Sequence, residues 1–96
     1  MRTIIIKNEF GADHITRVAG ERLRNMILKA AVENEKVKVD FSGVIIASTS
    51  FFDEGFAKLA LHGWTKEKYL SDVLIENLDK RDQKVLSEMC RNRGML

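Results

Sequence analysis

The densest run of hydroxyls in this 96-residue chain is Ser48-Thr49-Ser50, followed directly by Phe51-Phe52 and the acid pair Asp53-Glu54. Three chemistries suit hydroxyls in such a setting: nucleophilic attack, helix capping and acceptance of a phosphate. Attack requires a base within hydrogen-bond reach, and nothing in the spacing brings His14 or His62 beside the run. Capping fits better. Ser50 followed three residues later by Asp53 approximates a capping box, with both acids favoured by the positive end of a helix. A serine on an exposed strand-to-helix turn is also accessible to a kinase. Its phosphate would add roughly −1.5 to −2 charges and disfavour a partner that buries the turn.

Other reactive residues carry little chemistry. His14, His62 and Cys90 are scattered, without the one-turn pairing of metal ligands. Cys90 falls on the apolar side of a helix, where an inert buried thiol is the ordinary outcome. Gly11, Gly20, Gly43, Gly55, Gly63 and Gly94 are dispersed, and no Gly-Lys-Ser/Thr follows them to cradle a phosphate. No catalytic residue, cofactor or metal is therefore expected, and the protein is not read as an enzyme. Sixteen basic residues against 14 acidic ones give a formal net charge of +2, too close to neutral for built-in polyanion affinity. Arg17, Arg22, Arg24 and Lys29 on one helix, and Arg81, Lys84, Arg91 and Arg93 on another, are interleaved with Glu21, Asp79, Asp82 and Glu88. Solvated faces explain them better than a nucleic-acid footprint, which needs single-sign clustering.

Positioning the hydroxyl run requires a scaffold, and the hydrophobic pattern supplies one. Ile4-Ile5-Ile6 reads as a short strand buried on both faces. From Thr16 to Asn34, Ala19, Leu23, Met26, Ile27 and Ala30 fall on one helical face, with Thr16 or Asp13 as N-cap. Lys36 to Phe41 alternates polar and apolar residues, the mark of a half-buried strand, and Ser42-Gly43 makes a turn or bulge. A second helix starts near Ser50, with Phe52, Phe56, Leu59 and Ala60 inward and Gly63 as its stop. Trp64 to Ser71 is a short helix after Thr65 or a loop pinned by Trp64 and Tyr69; Trp64 is expected in the core, whereas an exposed Trp64 beside Tyr69 would mark a binding hot spot. Val73-Leu74-Ile75 reads as another buried strand. Lys80 to Arg93 reads as a helix with Val85, Leu86, Met89 and Cys90 inward. The order β-α-β-α-β-α implies an α/β domain whose mostly parallel sheet is packed by helices.

One domain over residues 1–96 is expected from the length. A single cysteine favours a reducing compartment. The N-terminal apolar run is too short for a signal peptide, and nowhere do 18 apolar residues run together, so the expected location is cytoplasmic and no membrane contact is expected.

The stretch Val39 to Leu59 resembles STAS domains, the fold of bacterial anti-sigma-factor antagonists, and is most similar to a small STAS-like family of bacterial proteins. STAS proteins end a strand in Asp-hydrophobic-Ser-Gly-Val, matched by Asp40-Phe41-Ser42-Gly43-Val44. They then open a helix with Asp-Ser-Ser-Gly-Leu, which falls on Ser48-Thr49-Ser50-Phe51-Phe52. STAS-like relatives carry Ser-Phe-x-Asp-Glu here, as in Ser50-Phe51-Phe52-Asp53-Glu54. The resemblance implies a protein-binding regulatory module with Ser50 as phosphoacceptor. It places Ser48, Thr49, Ser50, Phe51, Asp53 and Glu54 at the partner surface and names a histidine-kinase-like ATPase as candidate partner. A stand-alone inhibitor or adaptor without a phosphoswitch is the alternative, and nucleic-acid binding the second.

Overall fold

The structure is a computed structural model describing residues 1–13 and 16–96; His14, read above as a loop residue, lies outside the described residues. Strand β1 (Arg2–Ile5) leads into a short helix α1 (Ile6–Phe10) and a 3-10 turn at Gly11–Asp13. Helix α2 (Arg17–Val32) follows, capped by Thr16, whose Oγ1 accepts a hydrogen bond from Ala19 N at 3.0 Å. Strand β2 (Val37–Asp40) precedes a loop, helix α3 (Thr49–Gly55) and a 3-10 helix (Ala57–His62). Helix α4 (Lys66–Asp72), strand β3 (Val73–Glu76) and helix α5 (Lys80–Asn92) complete the order. The expected β-α-β-α-β-α succession is present, with short helices added between its members.

Among the described residues the three strands form one sheet, ordered β1-β2-β3 and parallel throughout. Its register aligns Ile4 with Val39 and Val39 with Ile75. That row, together with Val37 and Val73, faces the helices. The opposite row, Ile5, Lys38, Leu74 and Glu76, meets solvent, and Lys38 pairs with Glu76 at 3.2 Å across it. Two expectations change as a result. The Ile4-Ile5-Ile6 run is not a strand buried on both faces: β1 ends at Ile5, whose side chain is exposed, and Ile6 begins α1. Val73-Leu74-Ile75 is likewise one-sided, with Leu74 48% exposed. Continuous apolar runs usually mark strands covered on both faces; this sheet leaves one face bare.

The single helix expected between Ser50 and Gly63 is divided. Phe56 leaves helical geometry at φ −119°, and the chain continues as a 3-10 helix until Gly63 stops it in the left-handed region at φ 80°. Thr65 caps α4 by accepting from Lys68 N at 3.1 Å, so the Trp64–Ser71 stretch resolves to the helical alternative. Trp64 and Tyr69 are both buried, which makes them core residues and not an exposed binding patch.

Helices α2 and α3 pack against each other through two glycines. A Cβ on Gly20 would stand 2.7 Å from the Phe51 carbonyl oxygen and 2.9 Å from Glu54 Cβ. On the other side, one on Gly55 would stand 3.1 Å from Leu23 Cδ2. The approach lets α3 press a phenylalanine layer onto the sheet. The Phe41 ring lies 6.4 Å from Phe51, 6.1 Å from Phe52 and 6.3 Å from Phe56, and all four side chains are wholly buried. Backbone cannot yield at Gly20 as a flexible side chain would. Gly20→Ala is expected to lower unfolding free energy by about 1–3 kcal/mol through overpacking, measured as a reduced midpoint in urea denaturation. An unchanged midpoint would show that the helices separate at no cost.

Candidate functional site

The first half of the Asp40-to-Glu54 segment builds a turn. Asp40 closes β2, and its Oδ1 accepts from Ser42 N at 2.9 Å, Ser42 Oγ at 2.7 Å and Asn77 Nδ2 at 2.9 Å. The Asn77 bond, then the Ser42 bonds, hold this carboxyl below its ordinary value. Phe41 drops into the core and Gly43 takes φ 72°, a conformation open to glycine at no steric cost. Asp40, Phe41, Ser42 and Gly43 therefore each have a structural reason: acceptor, core plug, donor and left-handed turn.

The second half places its hydroxyls differently from the sequence expectation. Ser48, not Ser50, is the N-cap of α3, its Oγ accepting from Phe51 N at 3.3 Å. The third helical position is thus Phe51, so Ser50 and Asp53 form no capping box, and Asp53 and Glu54 sit a turn beyond the positive helix end. Thr49 is exposed and Ser50 half-buried. Phe51 is completely buried, with its ring edge-on to Phe10 and Phe41, and Glu54 is buried as well. Both leave the candidate partner surface for that reason. Ser48, Thr49, Ser50 and Asp53 remain.

The two acids are held by cations from other elements. Asp53 receives a two-pronged contact from Arg93, Nε at 2.6 Å and Nη2 at 2.9 Å, the bidentate form that guanidinium favours. Those bonds pull the Asp53 carboxyl below its usual range against a smaller opposing effect of burial. Glu54 accepts from Lys58 and, at 3.0 Å, from Arg24 Nη1, with Arg17 Nε at 3.9 Å. Burial alone would push the Glu54 carboxyl up; the bonds from Lys58 and Arg24 outweigh it and leave it lowered. Arg24 also donates to the Glu54 carbonyl at 2.8 Å, tying α2 to α3.

A third acid matters most for presenting the turn. Asp82, in the first turn of α5, is 1% exposed and accepts from Ile46 N at 2.7 Å and Ala47 N at 2.9 Å. It thereby fixes the loop before Ser48, where Ala47 is held at φ 51°, a left-handed conformation that disfavours any residue with a Cβ. The sequence reading counted Asp82 as a surface charge and did not assign roles to Asp82, Arg93 or Arg24. Their partners lie 30–40 residues away in the chain, and only the position of Asp82 in the first turn of its helix hinted at an amide-binding role.

Between this loop and α5 lies a cleft of about 250 Å³ lined by Ile45, Ala47, Thr49, Arg81, Asp82 and Val85. A shallower depression beside it joins Thr49 and Ser50 to Arg17, Asp53 and Met89. Elsewhere, Cys90 is buried, and burial pushes its thiol up while the Tyr69 hydroxyl bonds to it. Among the described residues no three His, Cys, Asp or Glu side chains converge as metal ligands do, and no helix is long and apolar enough to cross a membrane.

A family profile described as a STAS-like domain of unknown function matches residues 19–83. The chain belongs to this family. The matched span opens within α2 and closes one residue past Asp82, so it contains the Asp40 turn, the hydroxyl run and the carboxylate that fixes the loop between them. No curated protein and no solved structure matches the chain. The small parallel α/β architecture agrees with that of a STAS-like domain.

Two expectations follow for this STAS-like domain. Asp82→Ala leaves two loop amides without their acceptor and should cost about 1–3 kcal/mol. Hydrogen exchange should quicken at Ile46 and Ala47 first; unchanged exchange there would remove Asp82 from its role. For pH, the Asp53 and Glu54 carboxyls are lower in the folded chain than in the unfolded one. Their stabilisation is present above the ordinary carboxylate range of about 4 and is lost as pH falls through the lowered folded values. Urea midpoints should therefore drop on acidification between about pH 5 and pH 2, with a shallower drop in Asp53→Asn.

Proposed function

We propose that this STAS-like domain is a non-enzymatic, protein-binding regulatory module that docks through the Ser48–Ser50 turn, with Ser50 as its phosphoacceptor. The observation that carries the reading is the division of labour within the turn. Ser48 caps the helix, Thr49 is exposed and Ser50 half-buried beside it, and the buried Phe51 and Phe52 hold the helix beneath them rigid. A hydroxyl pair on so firm a base suits recognition by a folded partner better than it suits chemistry, because the carboxylates near it, Asp53 and Glu54, are already held in ion pairs.

Charge supports the phosphate. Placed near Asp53 and Glu54, a phosphoserine would meet like charge. Here Asp53 is already paired with Arg93, and Glu54 with Lys58 and Arg24, while Arg17 lies largely exposed beside the Ser50 depression. The phosphate is tolerated by the domain and felt by the partner. A histidine-kinase-like ATPase is the proposed partner and phosphate donor, with the cytoplasm as the proposed location.

The test is affinity capture from the native host with wild type, Ser50→Ala and Ser50→Asp, read by mass spectrometry. Wild type and Ser50→Ala should retain an ATPase that Ser50→Asp loses. If all three retain one and the same protein, the phosphoswitch is wrong and an inhibitor or adaptor role replaces it.

A further inference from the structure

All seven aromatic side chains, Phe10, Phe41, Phe51, Phe52, Phe56, Trp64 and Tyr69, are buried. Interfaces draw much of their energy from aromatic anchors seated in pockets, and this domain has none to offer. What it has is a pocket. The cleft between the 45–49 loop and α5 is mostly apolar, walled by Ile45, Ala47 and Val85, and its volume of about 250 Å³ exceeds the ~150 Å³ that holds a benzene ring. Its floor is secured by Asp82, whose carboxylate is already occupied by the Ile46 and Ala47 amides.

The surface of α5 beside the cleft is more basic than the sequence suggests. Along α5 the acids Asp79, Asp82 and Glu88 alternate with cations, which on paper cancels the charge. In the fold Asp82 is withdrawn from solvent, and Asp79 is turned back to cap the helix through Arg81 N at 3.0 Å. Lys80, Lys84 and Arg91 share a neighbouring exposed strip with Glu88, and the Arg81 side chain, 79% exposed and in a solvent-facing contact through its Nε with Asp79 at 3.4 Å, stands at the cleft itself. Arg93 is excluded from this sum by its pairing with Asp53.

We infer that this cleft receives a large apolar side chain from an acidic protein segment, whose flanking carboxylates pair with Arg81 and Lys84. The inference rests on the docking reading given above and names the chemistry of the partner at that surface. A nucleic acid would use the same cations, but single strands also need exposed rings on which bases stack, and every Phe, Tyr and Trp ring here is internal. The apolar cleft is the feature that a peptide uses and a phosphate backbone does not.

The experiment is selection of a displayed random dodecapeptide library on the folded domain, followed by titration of the enriched peptide into 15N-labelled protein. Enriched sequences should carry an aromatic or large aliphatic residue between Asp or Glu, and should shift the amides of Ile45, Ala47, Thr49, Arg81 and Val85. Ile45→Glu and Arg81→Glu alter exposed side chains and should keep the fold, checked by their own spectra, while weakening the peptide roughly tenfold or more. Enrichment of basic sequences, no enrichment at all, shifts confined to other surfaces, or affinity indifferent to both variants would each overturn the inference. So would an oligo-dT strand that displaces the peptide from the same amides. Binding that depends on Arg81 but ignores Ser50→Asp upholds the cleft and removes only the phosphoswitch.

Discussion

Gly20 lies so close to the Phe51 carbonyl that the spacing of α2 and α3 is set by backbone meeting backbone. Everything around the hydroxyl turn inherits that spacing. With the two helices at this distance, Phe51 and Phe52 reach the sheet, Phe41 rises between them, and Glu54 is carried into the boundary where Arg24 and Lys58 meet it. A buried carboxylate is costly unless charged donors surround it, and removing one donor from such a group is far worse than never having built it. The cluster therefore locks a geometry that the glycines make possible. Arg24 carries the remaining tension: its Nε is buried without a partner among the described residues.

A second layer of constraint runs through carboxylates that bind backbone rather than cations. Asp40 ends β2 by holding the Ser42 turn and reaching Asn77 beyond β3; Asp82 reaches from α5 to the loop ahead of α3. Together they fasten both ends of the 41–47 connection. Loops that carry recognition are usually the least stable part of a domain, yet this one is clamped at each end, and its left-handed Ala47 persists because Asp82 holds its amide. Rigidity in the free domain reduces the entropy lost when a partner docks.

How much was visible beforehand follows from the range of each interaction. Helical and alternating periodicity are local, so α2, β2 and α5 could be read from Ala19-Leu23-Ile27, from Val37-Val39-Phe41 and from Leu86-Cys90. The Asp40-Phe41-Ser42-Gly43-Val44 segment was legible as a family resemblance, and its residues prove to be turn chemistry. Misplaced features were those decided at a distance. Whether Ile5 and Leu74 are covered depends on where the helices lie, which an apolar run does not encode. The cap fell to Ser48 because the helix begins at Thr49, two residues earlier than a cap at Ser50 implies, and the packing of α3 on α2 and the sheet turns Phe51 and Glu54 inward.

The withdrawal of Asp82 gives α5 a charge that belongs to the fold and not to its own residues. A synthetic peptide copied from Lys80 to Asn92 would display both Asp82 and Glu88, and its cations would be offset as the linear sequence offsets them. Fragment mapping with overlapping peptides would thus pass over a surface that exists only when residues 46 and 47 are present to hide a carboxylate. The epitope is conformational, and an antibody or partner raised against it would distinguish the native domain from its unfolded chain.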